Sequence, residues 1–128
     1  MTLEGQFAQL LRLFLSPGWR EIWEAAGLTV VSFASLGLAV DVPDVVVWQT
    51  CQERQVVLVT GKRNHESPDS LEAAIRQYNR TDSLPVFTIS APREFSLSRS
   101  YAERTAEKLL EYLLDLDTFR GTGRLYIP

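Results

Sequence analysis

The sequence predicts a three-layer α/β/α sandwich built on a largely parallel sheet. Two observations carry that expectation. Segments with helical periodicity alternate with short β-branched runs along the whole chain. The run "VVLVT", Val56 to Thr60, is apolar without alternation, as in a strand covered on both faces. A length of 128 residues fits one such domain, so residues 1–128 are read as a single unit.

The elements follow in order. Glu4 to Leu15 reads as a helix, because Phe7, Leu10, Leu11 and Phe14 fall at i, i+3, i+4 and i+7. "SPGW" stops it and starts another: Ser16 suits a cap and Pro17 the first helical position. Trp19, Ile22, Trp23 and Ala26 form that helix's expected inner face, and Gly27 its terminator. Leu28 to Phe33 is β-branched and short, hence a strand. "DVPDVVVWQTCQER" is ambiguous. Its three valines favour a strand. The helical spacing of Asp44, Val47, Trp48 and Cys51 favours a helix from about Val42 to Arg54, which is preferred.

Gln55 to Thr60 is the next expected strand. "SPDSLEAAIRQY" then opens a helix, with Ser67 as cap, Pro68 first and Asp69 at the positive end. Leu71, Ala74, Ile75 and Tyr78 form its face. Leu84 to Ser90 is a third strand. The longest helix runs through "SYAERTAEKLLEYLLDL", with a Ser100…Glu103 capping box and a stripe of Tyr101, Thr105, Leu109 and Leu113. Arg124 to Ile127 reads as a short edge strand. Right-handed crossovers between these strands are expected. Ligands of such sheets sit beyond the carboxyl ends of the strands, which singles out Thr60 to Asn64 and Ser90 to Arg93.

Composition narrows the function. A hydrophobic content of 45% with 23% charged residues is ordinary for a globular domain. The net charge of −3 argues against a broad basic face for nucleic acid, although not against a local patch. One cysteine, Cys51, allows no internal disulfide and fits a reducing compartment. No apolar run approaches the roughly 18 residues that span a bilayer, and "MTLEGQ" lacks a signal peptide's basic start. The expectation is a cytoplasmic protein without a membrane segment.

Familiar motifs are missing. "TGK" at Thr60 to Lys62 lacks the earlier glycine and the following hydroxyl of a phosphate-binding P-loop. "GTG" at Gly121 to Gly123 has no helix after it, and no GxSxG occurs. His65 is the single histidine, so a zinc site of His and Cys cannot be assembled. Magnesium chemistry would need several carboxylates meeting at one sheet edge. The candidates are Asp44, Asp69 and Glu4, each also explained by the stabilisation of acids near helix starts.

The order "FASLGLAVDVPDVVVWQTCQERQVVLVTGKRN" resembles the small bacterial PIN-like family. The matching pieces are "LGL" at Leu36 to Leu38, Asp44 opening a helix, and "LVTGKRN" from Leu58 to Asn64. The resemblance implies a metal-dependent ribonuclease using Mg²⁺ or Mn²⁺, with Asp44 as a metal ligand and Asp69 and Glu4 as further catalytic acids. It implies RNA contacts through Gly61, Lys62, Arg63 and Asn64. Two departures weaken the catalytic expectation. The family's first strand is expected to be missing, because Met1 to Leu3 is short. Lys62 and Asn64 stand where further acids belong, and Lys62 would repel a cation. The alternative expectation is a non-catalytic protein-interaction or oligomerisation module. A missing first strand would leave a gap that a homo-oligomer could close.

Overall fold

The computed structural model describes residues 2–3, 16–28, 31, 34–39, 41–60 and 70–128. Among these, β1 (Thr2–Leu3), β2 (Leu58–Thr60), β3 (Val86–Ile89) and β4 (Arg124–Ile127) lie side by side in chain order, every pair parallel. The centre is the three-stranded unit β2–β3–β4; Thr2 and Leu3 extend it opposite Leu58 and Val59. The helices are α1 (Pro17–Ala25), α2 (Asp44–Arg54), α3 (Leu71–Tyr78), α4 (Pro92–Leu97) and α5 (Arg99–Leu114). No described helix is long and apolar enough to cross a membrane.

Strand alternation divides the interior into two cores. Val59 of β2, Phe87 and Ile89 of β3 and Ile127 of β4 point to one face. Trp23 of α1, Phe95 of α4, and Tyr101, Ala102, Ala106 and Leu109 of α5 cover it. Leu58 and Val86 point the other way, to Val47, Trp48 and Cys51 of α2 and Leu71, Ala74 and Ile75 of α3. Leu28 packs on the first core and Val31 on the second. Full burial of a large apolar side chain contributes roughly 1.5–3 kcal/mol, and Phe87, Phe95, Ile89 and Leu109 are among the most enclosed.

This division fixes the hand of the connections. The strands β2, β3 and β4 advance in one direction across the sheet, yet α3 covers one face and α5 the other. The β2–α3–β3 and β3–α5–β4 crossovers therefore have opposite hands, and only one can be right-handed. Uniformly right-handed crossovers, expected from the rule for such units, are not what the chain adopts.

The ambiguous valine segment is a helix because its burial follows helical spacing: Val47, Trp48 and Cys51 are enclosed while Val46 and Gln49 face solvent. Asp44 in the first turn and Arg54 in the last complement the helix dipole. Gln55 ends it in the left-handed region at φ 55°, and paired bonds from Gln55 N to Gln52 O and Val56 N to Cys51 O close the turn. Gly27 ends α1 in the same way, as its position suggests.

Several boundaries differ from the expectations. The first strand is present as Thr2–Leu3, so a wholly missing strand is corrected. Gln55 belongs to a helix end, and the strand after it starts only at Leu58. Helix α3 starts at Leu71, with Ser70 as cap accepting from Ala73 N at 3.2 Å; Ser67 and Pro68 lie outside the described residues. Ser98 rather than Ser100 caps α5, accepting from Tyr101 N at 3.2 Å, because α4 already occupies Pro92–Leu97 and the turn between them falls at Ser98. Ile22 and Tyr78, expected inside, are 42% and 41% exposed; each lies at the margin of its helix's buried stripe. In the expected strand 28–33, Leu28 is irregular and Val31 makes an isolated bridge; the other four residues lie outside the described set, as does the expected helix 4–15.

Candidate functional site at the carboxyl edge

Three strands deliver residues to the carboxyl edge of the sheet. Thr60 is the last residue of β2 and stands in register with Thr88 of β3, which in turn is opposite Tyr126 of β4. Period-two alternation puts Thr60 and Thr88 on the face of Leu58 and Val86, towards α2 and α3. Both threonines are completely buried.

A charge lies on this face beside them. Arg124 begins β4 opposite Val86, and its side chain, 8% exposed, runs towards the carboxyl edge. Its Nη1 donates to Thr88 Oγ1, and its Nε lies 3.1 Å from Glu72 Oε2. Glu72 stands in the first turn of α3, directly after Ser70 and Leu71, and its side chain is 35% exposed. The cluster thus joins β3, β4 and the start of α3. Desolvating a guanidinium is costly, and Glu72 and Thr88 supply compensating charge-assisted bonds.

Beyond Thr88 the end of β3 is closed by other bonds. Ser90 N donates to Ile127 O at 2.8 Å, and Ala91 N donates to the Tyr101 hydroxyl at 3.1 Å. The segment Ser90 to Arg93, singled out from the sequence, is thereby tied to β4 and α5, and Arg93 projects into solvent from α4. The amino edge is likewise laced by structural bonds. Arg120 reaches Asp117, Asp82 O and Gln55, and Asn79 Nδ2 donates to Gly121 O.

Of the sequence-derived site residues, Asp44 is described. It is half-buried at the first position of α2, whose amino end lies at the carboxyl edge because α2 leads down into β2. Glu4, Asp69, Gly61, Lys62, Arg63 and Asn64 lie outside the described residues, as does His65. Among the described residues no three of His, Cys, Asp and Glu converge as metal ligands. Hard divalent cations need several oxygen donors. The described donors do not make such a set, since Asp44 stands as one acid and Glu72 is committed to Arg124. Cys51 is a buried thiol of the second core, in no disulfide.

The sequence reading placed Thr60 at the carboxyl edge but missed Arg124, Glu72 and Thr88. Its one usable signal was the pair of threonines closing otherwise apolar strands, "VLVT" and "VFTI". No protein-family model, no curated protein and no solved structure matches this chain.

Proposed function

We propose that the chain is a PIN-like domain that engages RNA at the carboxyl edge of its sheet, with weak or absent metal-dependent cleavage. The observation that carries this reading is the buried Arg124 on the face leading to that edge, with Glu72 neutralised against it. A nuclease of this kind needs uncommitted carboxylates to fix Mg²⁺ or Mn²⁺ and orient water. Here the acid described on that face, Glu72, is paired with Arg124 and is not open to hold a divalent metal. The sequence supports the same division: Asp44 is retained, whereas Lys62, Arg63 and Asn64 follow Thr60. Asp44, with Asp69 and Glu4, remains the set through which residual metal binding would act.

The test is a time course on labelled single-stranded RNA with Mn²⁺, comparing the parent with Asp44→Asn, beside an RNA-binding measurement in EDTA. Binding with little cleavage is expected. Robust cleavage abolished by Asp44→Asn would make the protein an ordinary metal-dependent nuclease. Absence of RNA binding under both conditions would remove the reading.

A second reading is a homo-oligomerisation module that completes the sheet beside β1, which among the described residues pairs Thr2 with Leu58 and Leu3 with Val59. Light scattering after gel filtration separates the two. A concentration-independent monomer that still binds RNA excludes the second.

A further inference from the structure

We draw no further inference here: the strongest candidate, the stacked pair of Trp48 on α2 and Tyr78 on α3, whose rings lie 6.4 Å apart with the buried Trp48 indole nitrogen lacking a hydrogen-bond partner, carries nothing, because Trp48 is packed into the second core and nothing among the described residues shows what would cover the exposed Tyr78.

Discussion

Gln52 and Leu84 meet as two strands would. Gln52 Nε2 donates to Leu84 O and Leu84 N donates to Gln52 Oε1, both at 2.8 Å. One side chain from the last turn of α2 thus satisfies both backbone groups at the entrance to β3, 32 residues away. Gln52→Leu leaves a buried N–H and a buried C=O without these partners. It should cost about 2 kcal/mol or more in urea unfolding, and Gln52→Glu, which keeps the acceptor alone, about half of that.

Phe87 is fully enclosed at the centre of the first core and its ring lies 5.5 Å from that of Tyr112. Phe87→Ala should destabilise by about 3–5 kcal/mol, since this face has helices on its outer side and cannot collapse freely. Leu97→Ala, at a residue 78% exposed, should change unfolding by less than about 0.5 kcal/mol.

Two glycines with positive φ separate backbone conformation from space. A Cβ at Gly121 would lie 2.9 Å from Thr81 O at φ +87°, whereas at Gly27, φ +74°, nothing lies within 4 Å. Gly27→Ala should cost about 1 kcal/mol, from conformation alone. Gly121→Ala should cost about 2–4 kcal/mol, because the clash is with backbone and Asn79 and Ser83 hold Gly121 in place. Equal melting shifts for the two variants would refute this separation.

Ser70→Ala removes the side-chain bond to Ala73 N and should cost about 1 kcal/mol. The same change at Ser98 removes the bond to Tyr101 N and should cost a similar amount, while Ser100→Ala, inside α5 and exposed, should be neutral or slightly stabilising. A larger loss at Ser100 than at Ser98 would return the start of α5 to where the sequence pattern placed it.

Those capping residues show what the sequence could reveal. Ser100 had the capping-box acid three positions on, at Glu103, and that Ser98 caps instead depends on α4, a six-residue helix with no periodic signal. The alternation of helix and strand was legible because two-sided burial leaves apolar runs such as Val56 to Val59. Helix α2 was legible because Trp48 and Cys51 keep helical spacing against the β preference of its valines. Asp44 could be placed at a helix start from local pattern alone. The Arg124–Glu72 pair could not, since its partners are 52 residues apart and only the order of strands brings them together. The opposite hands of the crossovers were hidden for the same reason: periodicity identifies an apolar face but not which side of the sheet it covers.

Those opposite hands give the two cores different histories during synthesis. Among the described residues, those buried in the second core lie between Leu36 and Val86, whereas the first core runs from Trp23 to Ile127. A chain leaving the ribosome can seal α2 and α3 over their side of the sheet before α5 has been made. Val57, Val59, Phe87 and Ile89 then present an apolar surface until Phe95 to Leu109 emerge and Ile127 completes the edge. A stall within that interval would hold a half-covered sheet, the species to which a chaperone that reads apolar strands would bind.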